Sequence, residues 1–414
     1  MTDESTEQKA EALRVALVFR HFHPILAGAA ERFRRYSEPL GRAGIGFEVF
    51  TLREEDSHPE TEQMHETLIV RRLRAAGKPW VRDAALFQQA WNELSVRPAR
   101  GQVLQTSLAH SLARPWLQRA RRHGTGCMYV GTMVGDGADE RVQGWKRMVQ
   151  RWRAWRNFSP FQTVVASTTV MARWFAGNGV NAKRIEVIPN GVDVDRFRPV
   201  VEAVEKRALR SGLGLPEGGR VVIFAGSIVP RKGVDLLLQS WRRVAAQHPD
   251  ARLVLVGGFA RPTFMTQERM QQLTEFQNAM RAMAEAPGVA GTVIFAGESD
   301  RVQDWLRAAD VFAFPSEQEG MGNVVLEAMA CGLPSVITEF QGMPEKEFGA
   351  AGREFHLVPR TEEALGETLN EVLAADQRAA EMGRAARNWA CEHLDVRLTL
   401  ERYTKLYRRL AQVG

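Results

Sequence analysis

The chain has 414 residues, which at roughly 100–200 residues per domain predicts two or three domains. Lys and Arg number 55 and Asp and Glu number 49, giving a net charge of +6 that fits three partners: nucleic acid, an anionic membrane face or an anionic small substrate. The sequence has no RNA-binding or zinc-finger signature, so nucleic acid is the weakest of the three and we expect no nucleic-acid partner.

The cysteines and the chain start indicate a cytoplasmic protein. Cys127, Cys331 and Cys391 have no pair spacing, which supports neither a disulfide framework nor a zinc site. Residues 1–12 are polar and acidic, unlike a signal peptide, and we expect them to be disordered. No run approaches the ~18 apolar residues of a membrane span.

The first half of the chain predicts a parallel α/β domain with right-handed crossovers. A turn of small residues is expected at 27–30. The predicted strands are 14–19, 47–51, 66–74, 103–105, 127–130, 163–166 and 185–188. The predicted helices are 31–41, 115–122, 141–158 and 168–175.

A hinge over residues 198–220 precedes a second series of the same kind. Its predicted strands are 221–225, 253–256, 293–296, 311–314 and 335–338. Its predicted helices are 234–247, 266–286, 302–308, 323–331 and 361–374, and further long helices are predicted from 376 to 411. The pattern predicts two open α/β domains in tandem, with a nucleotide at the carboxyl ends of the strands.

Residues 311–336 suggest what that nucleotide carries. Glu319 lies in the loop after a buried strand, Gly320 and Gly322 follow it, and a helix begins at Asn323. The backbone N–H groups and the dipole of a helix start favour a phosphate. Glu327 lies about one turn further along the helix, where a ribose attached to that phosphate would reach it. A sugar on the other side would lie near Glu319, so the stretch predicts a nucleotide-sugar site.

A second loop, after the strand at 221–225, offers the opposite charge. Arg231 can hold two phosphate oxygens in a fork, Lys232 is a point charge, and Gly233 permits close backbone approach. Both cations would stabilise a departing diphosphate.

Three segments together resemble the retaining GT-B glycosyltransferases of family 4. They are residues 161–199, the string AGSIVPRKGVDLLL, and the string PSEQEGMGNVVLEAMACGLPSV. The resemblance implies two Rossmann-like domains facing each other across a cleft, with the last helix crossing back to the first domain. Residues 13–195 plus 396–414 would form the N-terminal acceptor-binding domain, and 196–395 the C-terminal donor-binding domain.

The resemblance also implies roles for individual residues. Glu319 would face the donor sugar and act with Arg231 and Lys232 in catalysis, and Glu327 would bind the ribose. Backbone amides would contact sugar hydroxyls and the phosphate, at Gly28, Gly320, Met321, Gly322, Asn323 and Val324. The cations would replace a divalent ion, so no metal or other cofactor is expected. Same-face substitution would need no protein nucleophile.

The sequence departs from the family at three places. Ser227 stands where an arginine is common, and Ala29 where the first loop often has a second glycine. The usual acceptor-side histidine falls at Thr132-Met133, so Met133 or, after an earlier strand, His110 is the candidate on that side. A lone histidine such as His110 is more often structural.

The predicted helix at 141–158 has two interpretations. Apolar residues recur at helical spacing at Trp145, Met148, Val149, Trp152 and Trp155. A stripe of this kind usually faces the core, with a solvated basic back, and this is the interpretation we adopt. The alternative is a basic amphipathic helix lying on an anionic membrane.

These observations predict a cytoplasmic, hexosyl-transferring, retaining and metal-independent enzyme, with possible peripheral attachment to the inner face of the membrane. The donor would be a UDP-sugar, with GDP-mannose second, and the acceptor a glycolipid, a saccharide or a specialised metabolite. A non-catalytic nucleotide-sugar-binding protein and a nucleotide-sugar isomerase of the same fold are the alternatives.

Overall fold

The computed structural model describes residues 13–25, 28–98, 100–132, 144–259, 267–344 and 346–412. Two sheets organise these residues, one in each half of the chain. The described part of the chain contains no helix that is both long and apolar enough to cross a membrane.

The first sheet has eight strands among the described residues, in the order β3-β4-β2-β1-β5-β6-β7-β8. They are β1 Leu13–Val18, β2 Ile45–Leu52, β3 Thr61–His65, β4 Leu68–Leu73, β5 Gln102–Thr106, β6 Gly126–Val130, β7 Thr163–Ala166 and β8 Ile185–Val187. The helices of this half are α1 Gly28–Arg42, α2 Pro79–Ser95, α3 Arg114–Arg122, α4 Trp145–Phe158 and α5 Thr169–Gly177. β3 and β4 pair antiparallel, and the other neighbours pair parallel.

The second sheet has six parallel strands in the described chain, in the order β11-β10-β9-β12-β13-β14. They are β9 Val221–Ala225, β10 Arg252–Val256, β11 Val293–Gly297, β12 Val311–Phe314, β13 Ser335–Thr338 and β14 His356–Val358. The remaining helices are α6 Ala203–Gly212, α7 Val234–Gln247, α8 Gln267–Ala284, α9 Val302–Ala308, α10 Asn323–Ala330, α11 Glu362–Ala374, α12 Asp376–His393 and α13 Val396–Ala411. Every residue of β9, β12 and β13 is buried, as expected for parallel strands covered on both faces.

The last helix packs against the first half of the molecule, as predicted. Tyr403 contacts the rings of Phe33 and Tyr36 on α1, with ring centroids 5.3 and 6.2 Å apart. The Tyr407 hydroxyl donates to Gln105 Oε1 on β5, at 2.5 Å. These contacts join α13 to the core around β1 and β2, so the last described helix belongs to the first domain.

One arginine of α12 holds the segment around residues 194–197, where the chain first passes from the first domain to the second. Arg387 Nη1 donates to the carbonyl oxygens of Val194 and Phe197, both at 2.9 Å, and of Ala330 at 2.8 Å. The first two carbonyls belong to the segment that leaves the first domain, and the third ends α10. A single guanidinium therefore fixes α10 relative to the interdomain connection.

The predicted strand at 66–74 is present as β4, but after a turn at residues 66–67 it pairs antiparallel with β3, a strand that was not predicted. Two other sequence predictions about this fold were wrong. The small residues from Gly28 onward form the first turn of α1 and not a separate turn. Helix α2 and strand β14 were not anticipated.

The second error concerns α4, whose apolar stripe does not face the core. No residue of α4 is buried, and its large apolar side chains lie at the surface. The helix is attached to the domain through its other side and its end, where Phe158 contacts Tyr129 and Phe175 with ring centroids 5.0 and 5.2 Å apart. Ala154, Asn157 and Trp145 line the cleft between α4 and the domain, whereas Met148, Trp152 and Trp155 do not line it and are exposed.

Candidate active site

The predicted donor residues lie where the order of the second sheet reverses. The chain runs from β9 outward through β10 and β11, and then from β12 outward in the other direction. Because β9 and β12 pair as parallel neighbours, the loops that follow them meet at the same sheet edge. Such a switch point is the expected ligand site of an open α/β sheet.

Glu319, Arg231 and Lys232 contact one another at this edge. Glu319 Oε1 lies 2.5 Å from Lys232 Nζ and 3.2 Å from Arg231 Nη1, and it accepts a hydrogen bond from Ser316 Oγ at 2.7 Å. Glu319 is buried. The cluster brings two cations to one carboxylate, so it keeps a net positive charge that favours an anionic ligand.

Lys232 is held in apolar surroundings. Its ammonium lies 5.7 Å from the centre of the Phe314 ring at the end of β12. Burial lowers the pKa of the Lys232 ammonium, and this effect outweighs the opposing attraction of Glu319. A buried cation attracts a negative charge more strongly than an exposed one would, because water screens it less.

Gly233 lets the β9 loop approach the end of β12. Its φ is +69°, and a Cβ atom added there would lie 2.0 Å from the Pro315 carbonyl oxygen. The Glu317 N–H also donates to the Arg231 carbonyl oxygen, at 2.8 Å, so the two loops are joined through their backbones. The close approach sets the distance between the two cations and Glu319.

We expect Gly233→Ala to destabilise the protein by more than the cost of left-handed backbone alone. That cost is about 1–2 kcal/mol, and the clash with Pro315 adds to it because the neighbouring atom is backbone. Gly214→Ala is the matched control, since Gly214 has the same φ of +69° and open space around it. Equal falls in melting temperature for the two variants would contradict the role assigned to the close approach.

The start of α10 presents backbone N–H groups near the cluster. Gly322 precedes the helix at a φ of +70°, and no side chain caps the first turn. Met321 is buried and its Sδ accepts from the Asn190 N–H at 3.2 Å, while Asn323 Oδ1 accepts from Asn190 Nδ2 at 2.6 Å. Gly320 and Val324 flank these residues in the chain. The first domain therefore meets the second at this helix start.

Glu327 lies further along α10 and faces the first domain. Its Oε1 lies 3.9 Å from Arg35 Nη1 on α1. Burial raises the pKa of the Glu327 carboxyl to about 7, and Arg35 and Arg196 only partly oppose this rise. Glu327 does not contact the Glu319 cluster directly, so the predicted site has two separate parts: the Glu319 cluster, for which the sequence predicts sugar and diphosphate binding, and Glu327, for which it predicts ribose binding.

The pKa of Glu327 predicts how stability changes with pH. An unfolded Glu ionises near 4.3, so between roughly pH 4.5 and 7 the folded protein holds a proton that the unfolded chain has lost. The free energy of unfolding therefore falls as pH rises through this window. We expect the free energy of unfolding of Glu327→Gln not to fall in this window. At pH 8 it should exceed that of the wild type, relative to the same comparison at pH 5, by on the order of 1–3 kcal/mol.

Melting temperatures between pH 5 and 8 measure this effect. Glu363→Gln, an exposed position on α11, is the control and should follow the wild type across the range. A Glu327→Gln variant whose stability difference does not change with pH would contradict the raised pKa.

Of the remaining predicted residues, Gly28 is the first residue of α1, and a Cβ atom there would meet no atom of another residue within 4 Å. Packing alone therefore does not require a glycine at this position. Met133 lies outside the described residues.

His110 lies in a second cleft, at the switch point of the first sheet between β1 and β5. The cleft has a volume of about 1000 Å³. Arg20 Nε and Nη2 donate to the two carboxylate oxygens of Asp83, at 2.9 and 2.6 Å, and His110 Nε2 lies 3.5 Å from Asp83 Oδ2. Burial opposes the ionisation of Asp83, but the hydrogen bonds from Arg20 and the nearby His110 ring outweigh it and lower the pKa of this carboxyl.

Several residues that hold these sites were not predicted from the sequence. Asp83 lies on a helix that was not predicted, and Asn190 and Glu347 join the two domains through contacts distant in sequence. Glu347 Oε1 accepts from the Thr169 N–H at the start of α5, at 2.6 Å. Asn190 lies in the segment at 161–199 that resembles the family, but the resemblance assigned it no role.

Comparison with known families accounts for both halves of the chain. The family described as Glycosyltransferase Family 4 matches residues 26–196, and the family described as Glycosyl transferases group 1 matches residues 205–389. The chain is a GT-B glycosyltransferase of family 4. The Glu319 cluster falls within the second match and His110 within the first.

The sequences of curated relatives align with part of this family 4 chain. D-inositol 3-phosphate glycosyltransferase of Xylanimonas cellulosilytica is 38% identical over 170 residues, which are 40% of this chain and 37% of the relative. The GDP-mannose-dependent alpha-(1-6)-phosphatidylinositol monomannoside mannosyltransferase of Mycolicibacterium smegmatis is 32% identical over 60% of this chain and 63% of its own length. The chain thus matches between about a third and two thirds of the length of these relatives.

Solved structures share the fold over nearly the whole family 4 chain. Sucrose-phosphate synthase from Thermosynechococcus elongatus superposes with a TM-score of 0.75 at 20% identity, covering 97% of this chain and 100% of that one. Anabaena HepE, solved with UDP and glucose, gives a TM-score of 0.72 at 18% identity, with coverage of 95% and 99%. The GT-B architecture predicted from the sequence is confirmed.

Proposed function

We propose that the protein transfers a hexosyl group from a nucleoside-diphosphate sugar to an acceptor hydroxyl, with retention of the anomeric configuration and without a metal ion. The observation that carries the proposal is the contact of Glu319 with Arg231 and Lys232, at a sheet switch point beside the uncapped start of α10. One carboxylate and two cations suit a sugar that develops positive charge and a diphosphate that develops negative charge.

The proposed step breaks the bond between the anomeric carbon and the phosphate oxygen. A new bond forms from the acceptor oxygen to the same face of that carbon, and the acceptor proton moves to the departing phosphate. Arg231 and Lys232 stabilise the charge on the leaving group, which is the role that a divalent ion fills in other transferases. Glu319 stabilises the sugar and fixes its orientation.

The donor is a UDP- or GDP-sugar. Anabaena HepE was solved with UDP and glucose, and the named mannosyltransferase relative is GDP-mannose-dependent. UDP-sugars remain the first choice from the sequence, and the relatives support GDP-mannose as the second. Glu327 contacts neither base in this proposal, since it would bind the ribose common to both.

The acceptor is a phosphorylated saccharide, polyol or glycolipid. The two curated relatives named above are an inositol phosphate glycosyltransferase and a phosphatidylinositol mannoside mannosyltransferase. A third relative is the mannosylfructose-phosphate synthase of Agrobacterium fabrum, which is 28% identical over 82% of this chain and 79% of its own length. The second cleft supports such an acceptor because Arg20, Lys146 and Arg153 line it and could pair with a phosphate.

A thermal-shift screen of UDP, GDP, UDP-glucose and GDP-mannose tests the donor, since a ligand that binds the folded state raises the melting temperature. Incubation of the stabilising donor with and without inositol phosphate then separates the activities by NMR. Transfer with retained configuration supports the proposal. Conversion of donor alone into an isomeric donor would replace it with an isomerase, and binding without any turnover would replace it with a non-catalytic binding protein.

A further inference from the structure

Helix α4 presents an apolar stripe to solvent. The exposed fractions are 70% for Trp145, 72% for Met148, 54% for Trp152 and 51% for Trp155. Spacings of three and four residues place these side chains along one face of a helix about 21 Å long. A group of large apolar side chains on the surface of a domain indicates a contact with another body.

Cations surround this stripe. α4 carries five basic residues, Lys146, Arg147, Arg151, Arg153 and Arg156, and no Asp or Glu. The Arg156 guanidinium lies 5.5 Å from the centre of the Trp152 ring, so a charge and an aromatic ring share one surface.

Neighbouring elements extend the positive charge. Arg121 on α3 and Arg184 in the turn before β8 both donate to the Ser159 carbonyl oxygen that follows α4, at 3.5 and 3.4 Å. Arg119 and Arg122 on α3 are exposed beside them, and α3 has no acidic residue. α3 and the turn before β8 thus add positive charge at the C-terminal end of α4.

We propose that α4 docks on an anionic lipid bilayer, with its tryptophans at the headgroup level and its arginines on acidic headgroups. Charge complementarity selects this occupant, since tryptophan prefers the membrane interface and each basic side chain gains attraction to acidic lipids. A water-facing helix needs neither feature, and a protein partner of ordinary charge would leave Arg147, Arg151 and Arg156 without counter-charges.

The docked orientation has a consequence for the acceptor, which rests on the proposed function. The other side of α4 walls the second cleft, where Lys146, Val149 and Arg153 line the space shared with Arg20 and His110. A bilayer at the outer side of α4 therefore lies beside the mouth of this cleft. The acceptor class that suits the arrangement is an anionic lipid whose headgroup enters the cleft from the membrane surface.

Flotation of the full chain with vesicles tests the proposal. The probes are phosphatidylcholine vesicles with and without one part in three of phosphatidylglycerol, at low and at high salt. We expect binding to the anionic vesicles that weakens with salt. Met148→Ser/Trp152→Ser and Arg147→Glu/Arg151→Glu should each weaken it by at least roughly tenfold.

Matched substitutions elsewhere serve as controls. Trp80→Ser replaces an exposed tryptophan of α2, and Arg242→Glu/Arg384→Glu reverses two exposed charges of the second domain. Both should float like the wild type, and melting temperatures check that every variant is folded. Absence of wild-type flotation, or equal flotation of the α4 variants, would overturn the proposal.

Self-association is the other outcome that would overturn it. A dimer in light scattering that the α4 variants convert to monomer, with no vesicle binding, would assign the stripe to a second copy. Flotation needs no donor. A wild-type protein that binds nucleotide but no vesicles would therefore contradict this inference and leave the proposed function intact. Flotation without any nucleotide binding defeats the proposed function alone.

Discussion

Glu319→Gln should lower turnover of the donor by roughly 10²- to 10³-fold, the size of effect seen when one group that stabilises developing charge is removed. The substitution keeps the shape of the side chain and its contact with Ser316 while removing the charge that faces Lys232 and Arg231. Because the site is buried, little water is present to stabilise the reacting sugar in place of the lost carboxylate charge. Turnover is measured as release of nucleoside diphosphate.

Glu317→Gln provides the comparison for this experiment. Glu317 lies two residues earlier in the same loop and is exposed, and its backbone, not its side chain, contacts Arg231 and Gln341. Its removal should leave turnover unchanged. A Glu319→Gln enzyme with wild-type turnover, or an equal loss in both variants, would show that the carboxylate at 319 has no chemical role.

Lys232→Met should weaken binding of UDP or GDP by roughly 10- to 100-fold, the range for loss of one charge-assisted hydrogen bond. Methionine keeps most of the apolar stem that packs by Phe314 and deletes the ammonium. Glu319 retains Arg231 and Ser316 as partners in the variant, so we expect the fold to survive. Isothermal titration calorimetry measures the change.

The nucleosides themselves are the control for Lys232→Met. Uridine and guanosine lack the diphosphate, so their affinity should not respond to the ammonium at 232. Arg242→Met, an exposed cation on α7, should change neither the nucleotide nor the nucleoside affinity. An equal loss for nucleoside and nucleotide would mean that the lysine supports the loop and does not bind phosphate.

The two predictions depend on each other because the three side chains form one cluster. Removing Lys232 leaves Glu319 with less positive charge nearby, and removing Glu319 leaves two cations without their carboxylate. The double variant should therefore lose less turnover than the two single effects combined.

The sequence predicted the parts of the site that lie within one strand-loop-helix unit. Adjacent residues predicted the loop from Glu319 to Gly322 and the start of the helix at Asn323. A buried strand, glycines and apolar residues at helical spacing are all local patterns. The same holds for Arg231 and Lys232 after β9. Their meeting followed from one general rule, that parallel strands end at a shared edge.

The sequence could not predict contacts between distant segments. Asp83 meets Arg20 and His110 only because α2 packs beside the ends of β1 and β5, and α2 itself shows a weak pattern. The pairing of Asn190 with Asn323 joins residues 133 positions apart. Arg387 finds three carbonyls at the domain crossing in the same way.

Helix α4 shows the division most directly. Periodicity determined that its tryptophans share one face, because the spacing of side chains along a helix is a local property. Whether that face meets the core or water depends on which side of the helix the rest of the domain occupies. The tertiary structure decided this through the packing of Phe158 with Tyr129 and Phe175.

The sequence by itself thus determined the two α/β domains, the strand-loop-helix unit that holds residues 319–323 and the two cations after β9 that contact Glu319. These features rest on hydrophobic period, turn residues and charge, which act over a few neighbouring residues. Only the tertiary structure decided three features. They are the close approach of Gly233 to the Pro315 carbonyl, the second cleft around Asp83 and the exposure of the apolar stripe of α4. Each of these depends on where distant segments pack, and local residue pattern does not carry that information.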